Sequence, residues 1–228
     1  MSKDVIIALD FPNGKETIEF LDKFDEKLFV KVGMELFYSE GKGIIKEIKK
    51  RGHKIFLDLK LHDIPNTIES SMRVLSKLDI DMVNVHASGT IRMMEAAVKG
   101  LGKDRPLIIA VTQLTSTDQK RMEEELLIKE PIEKVVLKYA ENAKKAGLDG
   151  VVCSPLESPL IHKSLGDDFI TVTPGVRLKG DTKGDQVRVT TPKKAKEFTS
   201  DYIVVGRSIT KADDPVEAYK RCIEEFLK

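Results

Sequence analysis

The chain has 228 residues, 41% of them hydrophobic and 33% charged, enough apolar material for a core and too much recurring Ile, Leu and Val for disorder. No apolar run approaches the roughly 20 residues that a bilayer span needs. Basic and acidic residues number 38 and 37, a net charge of +1 that argues against a general nucleic-acid or anionic-membrane binder, so any anion site must be local.

In chain order, eight short runs rich in Val and Ile read as strands: 5–9, 28–32, 54–59, 82–85, 107–111, 150–153, 169–173 and 202–205. They are apolar on both faces, as buried parallel strands are. Segments with helical spacing lie between them. Leu36, Ile44 and Ile48 mark one apolar face, Ile68, Met72 and Leu75 a second, and Val216, Tyr219, Ile223 and Phe226 a third. Pro65 and Pro215 sit where a first helical turn begins, and Asp214 with Glu217 makes an acidic helix start. Gly52, Gly100 and Gly147 each follow a Lys-containing helical run, as C-terminal caps do. Eight units of roughly 28 residues each suit one strand, one helix and two loops, so the expected fold is a single α/β domain over residues 1–228, an eight-stranded β/α (TIM) barrel. The alternative, an open doubly wound sheet, lacks its glycine fingerprint: the first strand ends in Ala8-Leu9-Asp10-Phe11-Pro12.

Cys153 and Cys222 have no paired spacing and are expected as buried thiols. The apolar run at 5–9 is too short for a signal-peptide core, and the chain reads as cytoplasmic. Two connections are long, 114–131 and 177–192. Both follow strands, which in a barrel puts them at the face that carries function.

Reactive groups of such barrels sit at the C-terminal ends of the strands. There the sequence offers Asp10, Lys31, Asp58, Lys60, Asp63, Asn84, His86, Thr112, Thr115, Arg177 and Gly206-Arg207-Ser208. Asp58 and Lys60, two apart on a strand, share a face. With Asp10 and Lys31 at the same level on adjacent strands, carboxylates and ammoniums would alternate in one cluster. An ammonium flanked by carboxylates is held in its charged form and suits the role of acid or electrostatic stabiliser, not that of Schiff-base nucleophile. Gly206 and Arg207, after the last strand, together with Pro174-Gly175-Val176-Arg177 after the seventh, read as an anion site. His53, His62, His86 and His162 show no metal-ligand spacing, so no metal is expected, and His86 is expected to support the site through a hydrogen bond. No GxSxG elbow is present, which disfavours a serine hydrolase.

Phe56-Leu57-Asp58-Leu59-Lys60-Leu61-His62-Asp63-Ile64-Pro65-Asn66-Thr67 resembles the DxKxxDIPxT signature of orotidine 5′-phosphate decarboxylases, in the wording of the bacterial branch. Ala8-Leu9-Asp10, Val30-Lys31-Val32-Gly33, Val111-Thr112-Gln113-Leu114-Thr115, Thr173-Pro174-Gly175-Val176-Arg177 and Val204-Val205-Gly206-Arg207-Ser208 are similar to further blocks of that family, in family order. The resemblance implies a cofactor-free and metal-free conversion of orotidine 5′-monophosphate to uridine 5′-monophosphate (UMP) and carbon dioxide, the last step of de novo UMP synthesis. It implies Lys60 as proton donor, with Asp58, Lys31 and Asp63 completing the charged network. It also implies Asp10 and Lys31 on the ribose hydroxyls, Thr115 at the pyrimidine edge, and Arg177, Gln186, Gly206 and Arg207 on the phosphate. It further implies a homodimer in which Asp63 and Thr67 reach the partner's site.

Two other readings share the barrel. A magnesium-dependent sugar-phosphate aldolase or decarboxylase, such as hexulose-phosphate synthase, carries a DxKxxD element but has Glu where this chain has Lys31, whose charge would repel the metal. A non-catalytic nucleotide-binding regulator would have no use for an intact charge cluster.

Overall fold

The computed structural model describes residues 3–180 and 189–228. Eight strands run in chain order: β1 (Asp4–Ala8), β2 (Phe29–Gly33), β3 (Lys54–Leu61), β4 (Met82–His86), β5 (Leu107–Val111), β6 (Gly150–Val152), β7 (Ile170–Thr173) and β8 (Tyr202–Val205). Each pairs in parallel with the next, and β8 pairs with β1, so the sheet closes into a barrel. All eight sequence-expected strands are present, with ends displaced by no more than two residues. A closed parallel sheet exposes neither face to water, which is why these runs read as continuously apolar.

Alternation along each strand sorts the side chains into two cores. Ile6, Phe29, Phe56, Met82, Ile109, Ile170, Val172, Tyr202 and Val204 fill the barrel interior, where the Phe29 and Tyr202 rings meet edge to face at 6.0 Å. The intervening residues, such as Val5, Ile7, Val30, Leu57, Val83 and Ile108, form the larger core between barrel and helices.

The helices follow their sequence punctuation with two exceptions. Pro65 and Pro215 open the helices Pro65–Leu75 and Pro215–Leu227, and Asp214 accepts from the amides of Val216 and Glu217 at 3.0 Å each. Gly52 and Gly147, at φ +80° and +84°, follow helix ends as expected. Gly100 does not cap its helix. It lies inside Thr90–Leu101, and Gly102, at φ +82°, ends that helix instead. The reason is packing: a Cβ on Gly100 would stand 2.3 Å from the Glu69 carbonyl oxygen of the neighbouring helix. Leu36 and the pair Ile44 and Ile48 belong to two helices, Met34–Glu40 and Lys42–Lys50, broken at Gly41 with φ +61°.

Cys153 and Cys222 are buried thiols. Among the described residues no helix is long and apolar enough to cross a membrane.

Candidate active site

The inward-facing columns of the barrel continue past its apolar layers into polar groups at the strand ends. Ile6 and Ala8 lead to Asp10, Phe29 to Lys31, Phe56 to Asp58 and Lys60, and Met82 to Asn84. All of these except Asn84 edge a cavity of about 290 Å³ at the mouth, near the lower bound of ligand pockets at about 300–1,000 Å³. Ala8, Phe56, Val111, Val152, Val172 and Val204 make its apolar floor. Gln113, Leu114 and Thr115 stand on one wall, and the 174–177 turn with Gly206 and Arg207 on another.

The expected alternation of charge is present. Lys31 Nζ lies 3.1 Å from Asp10 Oδ1 and 3.4 Å from Asp58 Oδ2, and Lys60 Nζ lies 2.7 Å from Asp58 Oδ1. Burial disfavours the Lys31 ammonium, but the carboxylates of Asp58 and Asp10 outweigh it and hold the group above the ordinary lysine value. Burial likewise works against the Asp58 carboxylate. Lys31, Lys60 and an Asn84 hydrogen bond overcome it and keep Asp58 below the usual carboxylate range. Both groups are therefore charged at neutral pH.

Lys60 does not continue a regular strand. Leu57 pairs with Val83 and Leu61 with Val85, so four steps along β3 span two along β4. The bulge puts Lys60 at φ +51°. Its amide leaves the ladder and donates to Asn84 Oδ1 at 2.8 Å, while Asn84 Nδ2 donates to Asp58 Oδ1 at 2.6 Å. The face shared by Asp58 and Lys60 is thus reached through a bulge rather than through simple two-residue periodicity.

The anion side has a different character. Among the described residues the buried Nε of Arg177 and the buried Oγ of Ser208 have no hydrogen-bond partner. Groups so placed cost free energy unless a ligand completes them. A Cβ on Gly206 would meet Ala8 and Asp10 only at ordinary contact distances of 3.6 and 3.8 Å. What the glycine leaves open is therefore cavity, not room for the chain itself. The Arg177 amide donates to the Thr190 carbonyl at 2.9 Å and the Thr190 amide to the Gly175 carbonyl at 3.1 Å, which fixes both ends of the long connection after β7. Gln186 lies outside the described residues.

Several expected residues stand elsewhere. Asp63 and Thr67 are exposed and line no part of this cavity, and Asp63 Oδ1 accepts from the Ile64 amide at 2.6 Å. Thr112 donates to the Val152 carbonyl at 2.9 Å instead of facing the cavity. His86 is half-buried beside His62, with ring centroids 5.6 Å apart, and is held below the ordinary histidine value by burial, then by the charges of His62 and Lys60. His53 accepts from the Leu28 amide at 3.0 Å, and His162 bonds Thr199 and Asp201, so both serve the scaffold. Among the described residues no group of three or more His, Cys, Asp or Glu is arranged to hold a metal ion. Sequence reasoning singled out neither Gln113 nor the structural role of Asn84. Their signal was parity, since Gln113 continues the column of Ile109 and Val111 as Asn84 continues that of Met82.

Comparison with known proteins agrees with this geometry. A family model described as "Orotidine 5'-phosphate decarboxylase / HUMPS family" matches residues 3–222. A protein of Bacillus cytotoxicus named orotidine 5′-phosphate decarboxylase is 60% identical over 99% of this chain and 98% of its own length. One of Bacillus cereus with the same name is 59% identical over the same shares. Among solved structures, the orotidine 5′-phosphate decarboxylase of Lactobacillus acidophilus superposes with a TM-score of 0.88 at 43% identity, covering 100% of both chains. An uncharacterized conserved protein from Geobacillus kaustophilus superposes at 0.87 with 48% identity, covering 97% of this chain and 99% of that one. With a family model spanning nearly the whole barrel and full-length relatives at this identity, the chain belongs to the orotidine 5′-phosphate decarboxylase / HUMPS family.

Proposed function

We propose that this enzyme converts orotidine 5′-monophosphate to UMP and carbon dioxide, with Lys60 as the acid. The observation that carries the reading is the Asp10–Lys31–Asp58–Lys60 alternation at the mouth of the barrel. In the reaction the bond from the sixth ring carbon to the carboxylate breaks, and its electron pair stays on that carbon. No adjacent π system delocalises the pair. An ammonium preorganised beside it stabilises the developing charge and then delivers its proton to the same carbon. Asp58, 2.7 Å from Lys60 Nζ, aims that ammonium. Lys60 then regains a proton from water. Neither an organic cofactor nor a metal enters these steps.

The remaining roles follow the same reading. Asp10 and Lys31 hold the ribose hydroxyls and Thr115 the pyrimidine edge. The phosphate falls to Arg177, Gly206 and Arg207, joined by Gln186. The unpartnered Nε of Arg177 supports this part. Binding energy from the phosphate, remote from the reacting carbon, is then available to the chemical step. Two copies form a dimer in which Asp63 and Thr67 complete the neighbour's site. Their exposure and their absence from their own cavity favour this arrangement. A cavity of mononucleotide scale in a chain of net charge +1 suits a free nucleotide rather than a nucleic acid, and a charged nucleotide substrate suits a cytoplasmic enzyme. The magnesium-dependent alternative is disfavoured by the Lys31 ammonium, which already stands between the two carboxylates that a cation would need.

The test is direct. Incubation with orotidine 5′-monophosphate in the presence of EDTA should lower the ultraviolet absorbance at wavelengths where it absorbs more strongly than UMP, and yield UMP. Activity lost to EDTA and restored by magnesium would move the assignment to the aldolase-type chemistry. No turnover under either condition would favour a binding protein.

A further inference from the structure

We infer that Asn84 is a positioning residue for the acid: its one side chain locks both the Lys60 backbone and the Asp58 carboxylate, and so sets where the Lys60 ammonium stands. This inference rests on the decarboxylase reading above. Asn84 is fully buried on β4, at the inward parity of Met82. Its two ends have partners that admit a single orientation of the amide. Oδ1 accepts from the Lys60 N–H at 2.8 Å, and Nδ2 donates to Asp58 Oδ1 at 2.6 Å.

Each bond answers a local problem. The β3 bulge removes Lys60 from the ladder and leaves a backbone donor that burial would make costly, and Asn84 Oδ1 supplies the acceptor. A non-glycine residue at φ +51° persists only where its surroundings over-determine it, and this bond is one such constraint. At the other end, Asp58 Oδ1 takes Lys60 Nζ and Asn84 Nδ2 together, while Asp58 Oδ2 faces Lys31. The carboxylate therefore cannot turn without losing one of three partners. Asn84 lies outside the residues that line the cavity, so its effect on the reaction must pass through Lys60 and Asp58.

Two variants and a structure test this. In Asn84→Ala the bulge loses its acceptor and Asp58 a donor. We expect kcat to fall by about 10–100-fold while KM stays within about threefold, because displacing an aligned group by about 1 Å costs this much without touching substrate contacts. Asn84→Asp keeps the shape and the acceptor but can donate to Asp58 only when protonated. Two adjoining carboxylates share a proton, which raises one of their pKa values. This variant should therefore work best on the acid side and lose activity as pH rises through a range where the wild type does not. The wild type is the control for Asp10, Lys31, Asp58, Lys60 and His86, which are charged or titrate nearby. A crystal structure of Asn84→Ala should show Lys60 relaxed from its left-handed backbone and its Nζ displaced from Asp58.

If Asn84→Ala keeps kcat within threefold of an active wild type, or if Asn84→Asp shows the wild-type pH profile, Asn84 has no positioning role. If the wild type itself fails to decarboxylate, the functional reading falls instead, and the crystal structure still decides this inference. A Lys60 unmoved in Asn84→Ala would overturn it.

Discussion

Lys60 holds its ammonium on a backbone that costs an L-residue about 1–2 kcal/mol, at φ +51°. The cost is offset by one carboxylate at 2.7 Å and one side-chain acceptor at 2.8 Å. Replacing Lys60 with alanine removes an acid and a preorganised charge together, so kcat should fall by at least ~10³-fold. The fold should survive, because Asp58 keeps Lys31 and Asn84 as partners. Steady-state kinetics with a melting curve checks both halves, and a variant retaining a tenth of wild-type activity would sink the role assigned to Lys60. Asp201 shows the same chemistry used for stability. Its Oδ2 accepts from the Thr171 amide at 2.8 Å, the Thr171 hydroxyl at 3.0 Å and the His162 ring at 3.1 Å. Burial disfavours this carboxylate, but the His162 and Thr171 hydrogen bonds outweigh it and leave Asp201 below the ordinary range. A folded value below the unfolded one contributes stability above the unfolded pKa of about 3.9, and that contribution is lost as pH falls through the folded value. Asp201→Ala should cost about 3 kcal/mol at neutral pH, since it strands buried donors, and less at an acid pH below the folded value. Urea titrations at the two pH values measure this. An equal loss at both would mean that the charge of Asp201 contributes nothing.

At the scale of elements, the pair of helices Pro65–Leu75 and Thr90–Leu101 matters most, because the first of them starts five residues after Lys60. Gly100 brings the two helices into close contact. A Cβ there would stand 2.3 Å from the Glu69 carbonyl oxygen and 2.9 Å from the Met72 Cβ. Backbone cannot step aside as the end of a flexible side chain can. Gly100→Ala should therefore destabilise by about 1–3 kcal/mol, although alanine is the better helix former by up to ~1 kcal/mol. Gly43, inside the helix Lys42–Lys50, makes the contrast. A Cβ there meets nothing within 4 Å, so Gly43→Ala should stabilise by up to ~1 kcal/mol. Denaturant midpoints of the two variants should move in opposite directions. A shift of the same sign in both would mean that helix propensity, not the close approach, governs Gly100.

At the scale of the whole molecule, the question is whether one chain holds a complete site. Asp63 follows Lys60 by three residues, is exposed, and among the described residues makes no ion pair. Ile64 beside it is 67% exposed, an apolar side chain left uncovered next to the charge. In a two-fold dimer with shared sites, a Lys60→Ala subunit and an Asp63→Ala subunit, each inactive alone, would form a heterodimer with one doubly damaged and one intact site. Mixing them should restore up to about a quarter of wild-type activity, since random pairing puts half the subunits in mixed dimers with half their sites intact. Absence of recovery, with subunit exchange shown by mass, would place the action of Asp63 within its own chain.

The barrel was legible from the chain alone because its signals are local. Eight apolar runs, Pro65 and Pro215 at helix starts, and glycines at helix ends each report a backbone preference that survives in the fold. The alternation of Asp10, Lys31, Asp58 and Lys60 was legible too, because parallel strands in register bring their ends to one level. Tertiary structure alone decided the rest. Gly100 turned from a cap into a contact because a neighbouring helix lies against it, and no local pattern records a neighbour. The β3 bulge, the left-handed Lys60 and the Asn84 bonds that hold it arise where one strand must fit another of different step count, a mismatch that exists only once both are paired.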